Sequence, residues 1–139
     1  MKSMNKSKLK KIVKKIFLKH GLNNNHSEIS SNYIIKAELV GAPTHGLARL
    51  KMYCDRIKKK LINSNPKIKI KKISQSISLV DANNAIGFVG ADIGIKKAIL
   101  NAKKTGIGIV AIKNSGHYGL SSFYAEQAVK KKLTVLCFT

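Results

Sequence analysis

Residues 8–20 read KLKKIVKKIFLKH, with apolar side chains at Leu9, Ile12, Val13, Ile16 and Phe17 and lysines between them. Steps of three and four residues predict a helix with one apolar stripe. Gly21 is placed to stop it. The Asn23–Asn25 run predicts a loop, and Asn25 with Glu28 three positions on has the form of a capping box. A second helix is expected over 27–39, facing inward through Ile29, Tyr33, Ile34 and Ala37, and ended by Gly41 and Pro43. After APTHG a third is expected over 46–61, with Leu47, Leu50, Tyr53, Cys54 and Ile57 on one face.

The period changes after the turn-forming stretch NSNP (63–66). Ile68 and Ile70 alternate with lysines, Ile73 follows, and Ile77 and Leu79 begin a second alternating run, so strands are expected. DANNAIG (81–87) predicts a turn, and 88–104 a helix that buries Val89, Ile93, Ala98, Ile99 and Ala102. GIGIVAI (106–112) predicts a strand, KNSGHYG (113–119) a loop, 120–132 a helix and LTVLCFT (133–139) a further strand. The fold class is therefore mixed α and β. A helical N-terminal segment, 1–63, precedes an α/β segment with a mixed sheet, 64–139, which is expected to be truncated. An apolar strand at the very end of the chain leaves its face uncovered, so the fold is expected to be incomplete.

Composition adds bounds. Hydrophobic residues make up 44% of 139, enough for a core. No apolar run reaches the ~18–20 residues a bilayer span needs. The basic N-terminus lacks the apolar block of a signal peptide, so no membrane partner is expected. The two cysteines, Cys54 and Cys137, have no disulfide or metal spacing. Buried thiols, a cytoplasmic location and no metal site are expected.

Lysine and arginine total 27 against 6 acidic residues, a net charge of +21. Such a charge raises nucleic acid as a partner. Only Arg49 and Arg56 are arginine, the residue that forks onto phosphate and guanine, and the lysines run the whole length of the chain. A lysine-coated surface is the reading adopted. A small basic nucleic-acid-binding protein and an inactive gene remnant stand as alternatives.

The chemistry centres on histidine, the side chain that titrates near neutrality. His20 ends a lysine-rich helix, where it complements the helix dipole. His26 begins a helix among Asn and Ser. His45 lies in Pro-Thr-His-Gly, with Arg49 four residues later. A guanidinium beside an imidazole suits a carboxylate next to a reducible carbonyl: the arginine forks onto the acid and the histidine donates a proton to the oxygen. A cap histidine and a surface arginine are the competing reading. His117 follows an apolar strand, the position from which open α/β sheets reach ligands, and Gly116 and Gly119 flank its turn. A tight turn with a backbone-satisfied histidine competes there. Asp81, at a strand end, reads as a turn former rather than an acid. No GxGxxG or phosphate-binding loop occurs, so a Rossmann domain is not expected.

Three stretches then fall into one pattern: GAPTHGLARLKMY (41–53), VDANNAIG followed by KKTGIGIVAI, and NSGHYGLSSFYAEQA (114–128). In order and separation they resemble the malate/L-lactate dehydrogenase family of NAD(P)-dependent oxidoreductases, which is distinct from the Rossmann-type lactate and malate dehydrogenases. The resemblance covers nearly the whole chain. It implies hydride transfer between NAD or NADP and a 2-hydroxy/2-oxo acid such as malate or lactate. It implies acid/base roles for His45 or His117, a hold on the substrate carboxylate by Arg49, and a homodimer. Tyr53 and Tyr124 match family positions without an assigned role. Family members run on past the strand matching LTVLCFT into segments that carry most of the cofactor contacts, so the resemblance implies an N-terminal fragment. Asn83-Asn84 stands where a glycine-rich turn is more usual.

Overall fold

In the computed structural model, which describes residues 5–139, the first apolar stripe forms α1, Lys6–Lys19. Asn5 caps it by accepting the Ser7 N–H at 2.8 Å. Val13 and Phe17 are its buried residues, so the inward stripe is narrower than the sequence suggests. Helix α2, Asn24–Leu39, starts three residues earlier than expected. Its cap is Asn23, whose Oδ1 accepts the His26 N–H at 2.8 Å, and Asn24 and Asn25 are helical rather than loop. Glu28 does not close a capping box with Asn25. Its carboxylate meets Lys10, and also Lys14 at 2.9 Å, both on α1. Ser27, Ser30, Ser31, Ile34 and Ile35 form much of the buried side of α2. Small hydroxyls there allow α1 and α2 to approach closely.

The expected third helix is shorter at both ends. Two 3-10 turns, Pro43–His45 and Leu47–Arg49, occupy its start, and α3 covers only Leu50–Lys58. It ends in a left-handed residue, Lys60 (φ 57°), with the Leu61 N–H bonded back to the Arg56 carbonyl at 2.9 Å. This closure normally uses glycine, so no sequence signal marked it. Tyr53, Cys54 and Ile57 are buried as the periodicity predicts.

The chain divides after Asn65. The second unit contains β1 (Lys69–Lys72), β2 (Ile77–Ala85), α4 (Gly87–Thr105), β3 (Ile109–Ser115) and α5 (Ser122–Val129). The sheet order is β1-β2-β3. β1 runs antiparallel to β2, with Ile70 opposite Val80, and β2 runs parallel to β3, with Ile77 opposite Ile109. This is the mixed α and β fold with a mixed sheet that the pattern predicts. The alternation in 68–72 does not bury a face, however: every residue of β1 is exposed.

Helix α4 covers one face of the sheet. Ser78, Val80 and Ala82 of β2 are fully buried on that side. Asn101 of α4 donates to the Ser76 carbonyl at 3.1 Å and to the Ser78 hydroxyl at 3.2 Å. The other face carries Ile77, Leu79, Ile109 and Ala111 in register, with Ile77 36% and Ile109 49% exposed. Parallel strands with such continuous apolar runs ordinarily have both faces covered.

DANNAIG is a bulge inside β2 rather than a turn after it. Asp81 pairs with Lys113 and Ala85 with Ser115, so three residues of β2 face one of β3. Asn83 and Asn84 take left-handed backbone (φ 50° and 56°), which asparagine tolerates in place of glycine. LTVLCFT is not a strand. Residues 133–139 form no ladder, and Leu136 and Phe138 are 79% and 86% exposed. The segment has strand composition but no strand paired to it; the Leu133 N–H bonds to the Ala128 carbonyl at 3.2 Å. It lines, with α4, β3 and α5, an apolar groove of about 1120 Å³.

The two lysines of α1 hold the Glu28 carboxyl down to about 2, chiefly through the hydrogen bonds from Lys10 and Lys14. A depressed carboxyl stabilises the fold fully above its ordinary value of 4.5 and loses that contribution as pH falls towards 2. Urea denaturation followed from pH 6 to pH 2 should show this loss. Glu28→Gln should remove that part of the pH dependence while leaving the rest of the profile in place.

Candidate active site

The spacing places His45 at a helix junction and Arg49 on the following helix, pointing the same way. They instead sit on successive 3-10 turns, because Leu47 gives its N–H to Glu38 of α2 at 2.6 Å and the α-helix begins only at Leu50. Thr44 brings them together. Its hydroxyl lies 3.2 Å from His45 Nδ1, and its carbonyl accepts Arg49 Nε at 2.9 Å. One guanidinium N–H is thereby fixed, and the remaining nitrogens form the fork. Nη1 also touches Met52 Sδ at 3.8 Å. His45 and Arg49 are half-buried, with solvent access to both. Behind them Tyr53 is buried. Burial pushes its phenol up to about 12 against the opposing influence of Arg49 and Arg56. It stays neutral at any physiological pH.

His117 belongs to the second unit. Its turn leaves the end of β3 through Asn114, a left-handed residue (φ 50°) whose Nδ2 donates to Asp81 Oδ1 at 3.0 Å. The same oxygen accepts the Asn83 N–H at 3.0 Å, and Lys113 Nζ lies 3.4 Å from Oδ2. Asp81 is thus no strand-end turn former: it lies inside β2, where its carboxylate holds the bulge to the end of β3. The Asn114 hydrogen bond, then that of Asn83, holds its carboxyl below the usual range. On the other side of His117, Tyr124 OH donates to the Tyr118 carbonyl at 2.6 Å, and the two rings stand 5.2 Å apart. Tyr118 OH meets Ser121 Oγ at 3.1 Å.

The two glycines of the turn differ in cause. Gly119 has φ +81° and abuts the Phe88 ring, so backbone and packing account for it. Gly116 faces open space. The turn also rests on α4: a Cβ on Gly87 would stand 2.2 Å from the Gly116 carbonyl oxygen and 2.3 Å from that of His117.

The other histidines have local partners. His20 Nδ1 meets the Ile16 carbonyl at 2.8 Å, and burial lowers the pKa of His26 beside Asn23. Burial raises the thiols of Cys54 and Cys137, which suits small hydrophobic side chains rather than nucleophiles. Among the described residues no helix is long and apolar enough to cross a membrane.

The malate/L-lactate dehydrogenase family model matches residues 4–139. The chain belongs to that family. It is 37% identical over 134 residues to malate dehydrogenase of Pyrococcus abyssi, covering 96% of this chain and 37% of that protein. It is 34% identical over 128 residues to malate/(S)-sulfolactate dehydrogenase of Methanothermus fervidus, covering 92% of this chain and 38% of the relative. The solved malate dehydrogenase of Pyrococcus horikoshii superposes with a TM-score of 0.89 at 34% identity, over 92% of this chain and 37% of that one. Further matches include dehydrogenases named for NAD(+) and for NADP(+). The chain spans little more than a third of the length of the relatives it matches.

Because the atoms facing Gly87 are backbone carbonyls, Gly87→Ala should destabilise the second unit by about 1–3 kcal/mol in urea denaturation and displace the His117 ring signals in NMR spectra. Gly116→Ala, whose methyl enters open space, should stay within about 0.5 kcal/mol of the native chain.

Proposed function

We propose that this chain carries the acid–base and carboxylate-binding part of an oxidoreductase that moves a hydride between NAD or NADP and a 2-hydroxy/2-oxo acid such as malate or lactate. The observation that carries the reading is the double tie at Thr44, which sets an imidazole and a guanidinium on one turn. Membership of the family and the activities for which its relatives are named support it.

In the reducing direction Arg49 holds the substrate carboxylate through a charge-assisted fork. The neighbouring C=O then lies within reach of a histidine. Reduced nicotinamide, when bound, would be the source of the hydride that C2 takes up as the C=O π electrons move onto oxygen. His45 or His117, entering as imidazolium, gives its proton to that oxygen and leaves neutral. Oxidation of the hydroxy acid is the reverse, with the neutral imidazole as base.

The first turn of α4, where a phosphate would ordinarily be drawn, is lined by the carbonyl oxygens of Gly116 and His117. No step of this chain is therefore assigned to the cofactor. The uncovered apolar face of β2 and β3 and the one-third coverage of the relatives support a working protein in which further polypeptide completes the sheet and the cofactor site. That protein works as a cytoplasmic homodimer, with 1–63 as its helical segment and 64–139 as the start of its α/β domain.

Purified 1–139 should show no NAD(P)H-dependent reduction of 2-oxo acids. A chimera in which it replaces the matching part of the Pyrococcus horikoshii malate dehydrogenase should be active. Within that chimera, alanine at the acid–base histidine should lower kcat by about 10²–10⁴-fold. Arg49→Lys should raise KM for the acid by about tenfold or more, since an ammonium cannot fork. Full turnover by both His45→Ala and His117→Ala would remove the proposal.

A further inference from the structure

We propose that Glu38 is a positioning residue for His45, holding the junction between the histidine turn and the arginine turn through a single backbone N–H. The inference rests on the reading of His45 as an acid–base group, but its geometry stands without it. Glu38 lies in the last turn of α2, where a carboxylate faces the negative end of the helix dipole. A position unfavourable for the helix is balanced by its other contact. Oε1 accepts the Leu47 N–H at 2.6 Å, a short charge-assisted bond to a residue nine positions away.

Leu47 is the first residue of the second 3-10 turn, and His45 is the last of the first. Gly46 joins them and is buried. A Cβ on Gly46 would stand 2.2 Å from Glu38 Oε1, 2.9 Å from Cδ and 3.1 Å from Cγ. The glycine after the histidine is thus accounted for by the carboxylate packed on it, not by a left-handed backbone, since its φ is −100°. On either side the His45 N–H bonds to the Ala42 carbonyl, and the Arg49 N–H bonds to that of Gly46, each at 3.0 Å. These bonds are local to each turn. The Glu38 contact is the long-range one that sets the junction of both turns against α2.

The test is NMR spectroscopy of the ¹⁵N-labelled chain, with the four imidazoles as internal references. In the native chain the Leu47 amide should exchange slowly, as a bonded N–H does. Glu38→Gln keeps an acceptor but not the charge, so Leu47 should retain its protection from hydrogen exchange while its amide proton signal moves upfield. Glu38→Ala should speed Leu47 exchange by about tenfold or more. It should also move the ring signals of His45 while leaving those of His20, His26 and His117 in place, a selectivity that general loss of stability would not produce. Unchanged Leu47 exchange and unchanged His45 signals in a folded Glu38→Ala chain overturn the proposal. If that variant does not fold, Glu38→Gln decides: a Leu47 amide proton signal that does not move belongs to an N–H bonded elsewhere. Loss or retention of turnover in His45→Ala bears on the catalytic reading alone, so the two can fail separately.

Discussion

Backbone proximity between α4 and the parallel strands is the constraint on which the second unit depends. Methyl groups built on Gly87, Gly90 or Gly94 would meet the 116–117 carbonyls, the Ser115 hydroxyl with Ala82, or the end of Ile112. Each missing Cβ lets the helix lie lower on the sheet. The same approach buries Val80 and Ala82 and brings Asn101 within reach of Ser76 and Ser78. It also fixes the His117 turn from below, while Tyr124 fixes it from the side. The placement of a candidate acid–base residue is in this way a packing property of a helix that carries none of the chemistry.

The six carboxylates of this +21 chain fall into two groups. Asp55, Asp92 and Glu126 each pair with a lysine four residues away, and Glu28 meets two lysines of the neighbouring helix. The exposed pairs among these contribute little, whereas the Asp92 carboxylate is buried. Glu38 and Asp81 are different. Each accepts a backbone N–H at a junction: Glu38 from Leu47, just after the His45 turn, and Asp81 from Asn83, while it also accepts the Asn114 side chain at the end of β3. Negative charge is scarce here, and two of its six sites hold backbone beside the proposed chemistry.

Much of this was legible in the sequence. Periodicity located α1, α2, α4 and α5, the change of period marked the sheet, and three motifs led to the family. The misses have physical causes. Local spacing cannot show that Glu38 captures the Leu47 N–H, which delays α3 and converts the His45 turn to 3-10 geometry. The Lys60 left-handed closure lacks the glycine that announces such ends. Asn83 and Asn84 read as a turn because turn residues and bulge residues are the same types. LTVLCFT reads as a strand by composition, but a strand exists only with a partner. Thr44 could have been singled out: a hydroxyl immediately before a candidate histidine is a short-range signal for an oriented ring.

Thr44 has one further consequence. Its hydroxyl and its carbonyl are separated by a few covalent bonds, and they hold the ring and the fork respectively. If His45 and Arg49 act as proposed, the spacing between anion clamp and proton donor is a fixed gauge rather than the sum of two flexible side chains. Such a gauge admits molecules by the interval between acid group and carbonyl and ignores what hangs beyond C3. A scaffold built this way can change its preferred acid by altering the walls of the cleft, without ever re-measuring the reacting end.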